Sequence, residues 1–286
     1  MADSEGGPRE VAFVRGRWRR WLLAAGAGIV ALLVIGAVMA PLLTRYDPDA
    51  IVVTPYRGPQ APTAAHPLGT DTLGRDLWAR LVFGARTSLL VGALAMTTSL
   101  AIGVLVGLLA GYFGGAVDTA LMWIVDLVLT MPTLLLLIVL ATLMPPSLWT
   151  IPLIIGLVGW TTFARTVRGQ VLTLRERDYV TAARALGASD VRLMTRHLLP
   201  GVLPGIVVLA ALGMSGAIGL DAGLSYLGLG VPFPTPSWGQ MISETQTYFA
   251  VAPWLVVFPG CAISLAVIGF NLIGYGLVDV LGAREP

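Results

Sequence analysis

The chain has 286 residues, is 56% hydrophobic and only 12% charged, and carries a net charge of +2 with a mean hydropathy of +0.81. A soluble domain carries about 25% charged residues, so half that figure with long apolar runs excludes an ordinary soluble enzyme and indicates an integral membrane protein. The single Cys261, inside an apolar run, excludes an internal disulfide framework or a zinc set and reads as a small buried hydrophobe.

In chain order, residues 1–20 form a basic segment containing Arg9, Arg15, Arg17, Arg19 and Arg20. Residues 21–44 are uncharged and long enough to cross a bilayer core of about 30 Å. No small-x-small cleavage site follows, so this is an uncleaved anchor. Residues 45–86 are rich in Pro, Gly and Asp and form an outer segment. Five further spans are predicted between residues 87 and 279. The first, from Thr87 to Val117, carries Gly103, Gly107, Gly111 and Gly115 at intervals of four, a face for close helix approach. Thr119 to Leu143 follows, with Asp126 inside and a kink expected at Pro132. Trp149–Ala164 is somewhat short for a span, Val202–Leu227 contains Asp221, and Trp254–Leu277 is the last before a tail at 280–286.

Placing the N-terminus inside puts thirteen of the 18 arginines on the cytoplasmic side and five on the outer side. The positive-inside rule therefore selects six helices with both termini in the cytoplasm. It also places residues 175–201, which carry Arg175, Arg177, Arg184, Arg192 and Arg196, in the cytoplasm between the fourth and fifth spans. There Asp178 can cap a helix whose face carries Tyr179, Ala182, Ala183 and Leu186. Gly187 ends that helix. Ser189 or Asp190 caps a second one, which breaks at Pro200-Gly201. This helix–corner–helix suits either a groove on a partner, with Arg184, Arg192 and Arg196 at its rim, or a connector resting on anionic lipid.

Thr181-Ala182-Ala183, Gly187 and His197-Leu198-Leu199-Pro200 resemble the EAA loop of ABC-importer permeases, with Thr181 where that pattern has glutamate and His197 where it has isoleucine. Residues His66–Gly92 (HPLGTDTLGRDLWARLVFGARTSLLVG) and Leu224–Met241 (LSYLGLGVPFPTPSWGQM) are similar to the dipeptide/oligopeptide/nickel branch, and to its second, C-type permease subunit. Tyr275, Val278 and Gly282-Ala283-Arg284 depart from that pattern near the end, and Asp221 stands for its usual Glu. The resemblance implies an all-α type I ABC-importer permease of the bacterial inner membrane, importing di- or oligopeptides, with nickel, heme or another small substrate as the alternative cargo. It implies a sister permease, two ATP-binding subunits that carry the ATP and Mg, and an extracytoplasmic substrate-binding protein. It assigns ATPase coupling to Tyr179, Thr181, Ala182, Ala183, Arg184, Leu186, Gly187, Arg192 and Pro200.

The chain has no lysine, and therefore no GxxxxGK[ST] phosphate loop and no expected cofactor of its own. Asp126 and Asp221 are candidates for the substrate path, for a peptide's amino terminus or a proton relay; each reads equally as a structural acid paired with a hydroxyl or an arginine. A proton relay would make the chain a secondary transporter, which predicts an inverted repeat. Pro232, Pro234, Pro236 and Trp238 stiffen an outer loop, either to gate the outer mouth or receive the binding protein, or as simple loop stiffness. His66 with Asp71, Arg75 and Asp76 reads as helix cap and ion pairs, not as a metal or catalytic cluster. Ser225 and Ser237 have no histidine in their segment to act as base.

Overall fold

The computed structural model describes residues 8–53, 55 and 58–282, with side chains described for 20–53, 55, 58–278 and 280. Arg9, Arg15, Arg17, Arg19, Arg57, Ala283 and Arg284 of the sequence reading lie outside the described side chains. All regular structure in the described residues is helical apart from two isolated bridges, Ile51 to Arg75 and Thr70 to Asp76. Helix α1 (Pro8–Val38) and the short α2 (Ala40–Leu43) lead through the irregular outer segment to α3 (Leu77–Phe113). Next come α4 (Gly115–Thr130), α5 (Thr133–Leu143), α6 (Thr150–Leu174) and α7 (Asp178–Ala185). A single turn α8 (Asp190–Arg192) runs through a π-helical stretch into α9 (Leu199–Tyr226), and α10 (Trp238–Thr245) and α11 (Trp254–Gly282) complete the chain.

Five helical runs are long and apolar enough to cross a membrane, and a sixth results if α4 and α5 count as one span bent by 92°. The bend falls at Met131-Pro132, where the proline ring cannot extend α4 and the apolar pattern resumes behind it. Helix α3 starts at Leu77, ten residues before the uncharged run, because Asp76 caps it by accepting from Ala79 N at 2.8 Å. Its 37 residues span about 55 Å, well beyond the bilayer core. Helix α6 likewise continues past Ala164 to Leu174, so the short fourth span is a longer helix whose basic end leaves the apolar zone.

The expected break at Pro200-Gly201 does not occur. The Leu199 amide donates to the Met194 carbonyl, five residues back, and the helix runs on to Tyr226. Proline has no N–H and crowds the carbonyl four residues behind it; a π turn shifts the pairing and lets the helix pass through.

Helices α3 and α6 share the most extensive helix contact of the described residues. A Cβ at Gly103 would lie 2.6 Å from the Trp160 carbonyl, at Gly107 2.7 Å from the Ala164 carbonyl, and at Gly111 2.8 Å from Val171 Cβ. The glycine face is thus used inside the subunit. Gly115 is not part of it, since it opens α4 with φ of +51°. Gly156 and Gly159 return the close approach from α6, against Thr98 and Ser99, and Ser99 Oγ donates to the Gly156 carbonyl at 3.1 Å. The same device joins α1 to α11 through Gly26, Gly269 and Gly276. Cys261 is exposed on α11 and not buried, whereas its neighbour Ala262 packs into the core.

Leucine at Gly107 is expected to force α3 and α6 apart and to destabilise the chain by at least about 1–3 kcal/mol. Gly169→Ala, at a site with nothing within 4 Å, serves as the neutral control. Thermal melting of both variants in lipid nanodiscs measures the difference.

Candidate functional site

We call the end of the bundle that carries Arg165 to His197 the basic end. There the chain turns from α6 into α7. The α7 helix begins at Asp178, so this acid lies in the first turn and not at the cap, where Arg177 stands without a side-chain hydrogen bond. It ends in a Schellman motif: Gly187 at φ +83°, with its N–H donating to the Arg184 carbonyl and Ala188 N–H to the Ala183 carbonyl. Asp190 opens α8 and accepts from Tyr112 Oη at 2.6 Å, which ties the corner to the end of α3. The Arg184 guanidinium stacks 5.9 Å from the Tyr112 ring centroid. Arg175 donates to the Gly111 carbonyl at 2.9 Å, and Arg168 forms a bidentate pair with Asp118 of α4. Beneath these polar ties, Val180, Leu193, Leu198 and Val202 are fully buried against Leu108, Val167 and Val171.

This anchoring divides the predicted coupling residues. Tyr179, Thr181, Ala182, Arg184, Leu186, Gly187, Arg192 and Pro200 are exposed. Ala183 is half-buried and packs into the subunit's own core, so it does not share the outward face with Ala182. The outward apolar face consists of Tyr179, Ala182 and Leu186, the last 89% exposed, and is extended by Val191 of α8. Thr181 Oγ1 donates back to the Arg177 and Asp178 carbonyls at 3.0 and 3.2 Å, so the residue at the usual glutamate position satisfies its hydroxyl within its own helix.

The opposite end is tied by buried charge. Arg75 and Arg80 are each 1% exposed. Arg75 reaches Asp71 at 2.6 Å and Glu244 of α10 at 2.7 Å; Arg80 reaches the same two carboxylates at 3.4 and 3.2 Å. His66 Nδ1 lies 2.8 Å from Asp76 Oδ2. The outer segment, the start of α3 and α10 are therefore one charged knot. The Arg75 guanidinium also lies 5.4 Å from the Phe233 ring centroid, which holds the tip of the proline loop. That loop divides too. Pro232 and Pro234 are exposed, whereas Pro236 and Trp238 are buried. The Trp238 backbone N–H donates to Ser88 Oγ at 3.1 Å, while its indole donates to the Leu81 carbonyl at 3.0 Å. Trp238 is the loop's anchor on α3, not a surface offered to another protein.

Between α3, α6 and α9 lies a cleft of about 280 Å³, with Met96, Ser99, Gly159, Thr162, Phe163 and Gly213 in its walls. Neither Asp126 nor Asp221 lines it. Asp126 is exposed on α4 and ion-paired with Arg165 of α6, and Asp221 is enclosed between α9 and its neighbours. Sequence reasoning missed the cleft because its walls are small and apolar residues, indistinguishable in the sequence from ordinary packing positions.

Residues 103–285 match the family described as binding-protein-dependent transport system inner membrane component. The dipeptide transport system permease protein DppC of Alkalihalophilus pseudofirmus is 41% identical over 92% of this chain and 86% of its own length. The oligopeptide transport system permease protein OppC of Bacillus subtilis is 40% identical over the same shares. The glutathione transport system permease protein GsiD of Pectobacterium atrosepticum is 38% identical over 93% of this chain and 90% of its own. Among solved structures, a chain of the MetNI methionine ABC transporter in an inward facing conformation superposes with a TM-score of 0.55 at 22% identity, over 72% of this chain and 97% of that one.

Glu244→Gln would leave two buried guanidinium groups sharing one fewer anion. It is expected to cost about 3–5 kcal/mol, as breaking a buried ion pair does, read as a loss of melting temperature in nanodiscs.

Proposed function

The chain belongs to the family of binding-protein-dependent transport system inner membrane components, and from that premise we propose that it forms, with a sister permease, the path of an ATP-driven importer of di- and oligopeptides. The observation that carries the cargo is the agreement among relatives. Permeases 38–41% identical across about nine-tenths of this chain are named for dipeptides, oligopeptides, D,D-dipeptides and glutathione, all short peptides. Cytoplasmic ATP-binding subunits supply the work and hold ATP and Mg, and an extracytoplasmic binding protein delivers the cargo. This division of labour fits a chain without lysine and hence without a phosphate loop.

In this reading the basic end is cytoplasmic. Tyr179, Ala182 and Leu186 enter a groove on one ATPase, and Arg192 and Arg184 meet acidic groups at its rim. An apolar patch this exposed calls for cover. Helix α7 transmits force because it cannot give way: Val180 below it, the Tyr112–Asp190 hydrogen bond beside it and the continuous helix from Asp190 to Tyr226 behind it all move together. A push on the shelf tilts α9, which walls the cleft also lined by α3 and α6. Ser99 and Thr162 supply hydroxyls there, and glycines let a peptide backbone pass close to the wall. The exposed prolines Pro232 and Pro234 with Phe233 form the outer surface that meets the binding protein, with Pro236 and Trp238 as their footing.

Two measurements test this reading. ATP hydrolysis by the reconstituted complex is expected to rise with di- to pentapeptides in the presence of the binding protein, and not with nickel or heme; a complex that hydrolyses ATP but ignores every peptide overturns the cargo. Ala182→Arg is expected to abolish peptide-stimulated hydrolysis by detaching the ATPases, while the chain itself stays folded, since Ala182 faces outward. Normal assembly of that variant on a sizing column would remove α7 as the docking helix.

A further inference from the structure

The seam between α9 and α10 holds an acid that no group among the described residues answers. Asp221 is 1% exposed, and neither of its carboxylate oxygens has a hydrogen-bond partner. Ser225, one turn further along α9, and Gln240 on α10 are 3% and 8% exposed, and Ser225 Oγ and Gln240 Oε1 are also without partners. The two helices pack closely here. A Cβ at Gly239 would lie 2.8 Å from Ala222 Cα and 2.7 Å from Ser225 Cβ, which sets Gln240 beside the turn that carries Asp221 and Ser225. From the loop, Gly230 presses on the same serine, with its Cβ position 2.6 Å from Ser225 Cα.

Most donors at this end of the bundle are spent elsewhere, and among the described residues the buried nitrogen donors left without a partner are Trp254 Nε1 and the Nη1 atoms of Arg75 and Arg80. In the first turn of α10, Trp238 N–H donates to Ser88 Oγ, Gln240 N–H to Ser237 Oγ and Met241 N–H to the Ser237 carbonyl. Among the described residues, the charged side chains on the helices packed against this half of α9 are Arg80 and Arg86 of α3 and Glu244 of α10. Arg80 is engaged by Glu244 and Asp71, and Arg86 donates to the Ala37 and Val38 carbonyls. A side chain on the surface of a sister subunit cannot serve either, because Asp221 is already enclosed within this one chain.

What the seam offers is a set of oxygen acceptors around one formal negative charge. Oxygen ligands select hard cations. A single carboxylate balances a single positive charge, whereas a divalent ion would leave a net charge buried at low dielectric. Ser225 also sits in the last turn of α9, where the helix dipole favours a cation. We propose that Asp221, Ser225 and Gln240 bind a small dehydrated alkali cation that clips α10 onto α9, so that the outer helix and the long lever helix move as one body.

The test uses the full chain in lipid nanodiscs, with NaCl, KCl and choline chloride at equal ionic strength. Sodium or potassium is expected to raise the melting temperature above that in choline by about 2–4 °C, and Asp221→Asn to abolish the shift. Retention of ²²Na⁺ or ⁸⁶Rb⁺ by the wild type and its loss in Asp221→Asn would identify the ion. Should Asp221→Asn fail to fold, Ser225→Ala keeps the carboxylate and is expected to weaken the cation dependence at least about tenfold. Equal melting of the wild type in all three salts, without retained ion, overturns the site and leaves a protonated carboxyl closed into the seam. Neither readout needs cargo or ATPase, so a negative result here leaves the importer reading in place.

Discussion

Close backbone approach between α3 and α6 is the constraint on which the rest of this subunit depends. Inside a bilayer the hydrophobic effect does not press helices together, because lipid tails are as apolar as the side chains. Association then rests on dispersion contacts, which fall away within an ångström of separation. Gly103, Gly107 and Gly111 on one helix and Gly156 and Gly159 on the other bring the backbones together along most of their shared length. That seam fixes both functional ends. At one end it sets Tyr112 where Asp190 can reach it; at the other it sets Ser88 and Leu81 where the Trp238 side of α10 can anchor.

The two ends are held by different chemistry, and the difference follows from their surroundings. At the basic end the ties are partly exposed: Arg168 with Asp118, Arg175 with a carbonyl, and Tyr112 with Asp190, over a small apolar plug. Exposed ties of this kind contribute little apiece, but together they orient a helix whose outer face is kept free. At the other end Arg75 and Arg80 are enclosed, and an enclosed guanidinium must keep its anions or unfold its surroundings. The outer segment is thereby bound to α3 and α10 with little freedom, a stiff platform around the exposed tip Pro232–Pro234.

Between them runs α9, continuous with α8 through the π turn ahead of Pro200. A helical break there would have separated the basic end from the long apolar helix. The π register removes the break, and so the corner after α7, the cleft wall and the α9–α10 seam lie along one continuous helix. The enclosed Asp221 lies on this same rod, close to its outer end.

Much was legible in the sequence. Composition and uncharged runs specify a membrane bundle, because bilayer thickness and unsatisfied backbone polarity leave a chain few alternatives. The stop at Gly187 and the bend at Pro132 are local rules, and each is met locally. The motif at Thr181 to Pro200 pointed to the family to which the chain belongs. What only the tertiary structure decided is which side of each helix is used. Period and propensity do not distinguish Ala182 from Ala183, yet one faces out and the other packs inward, because Val180 is pinned beneath α7. Asp126 and Asp221 look alike as lone acids in apolar runs; Arg165, 39 residues away, reaches one, and nothing among the described residues reaches the other. Trp238 reads as a loop residue until Gly84 and Ser88, some 150 residues earlier, are seen to receive it. Each of these depends on a partner distant in the chain, and a partner at that range is set by packing alone.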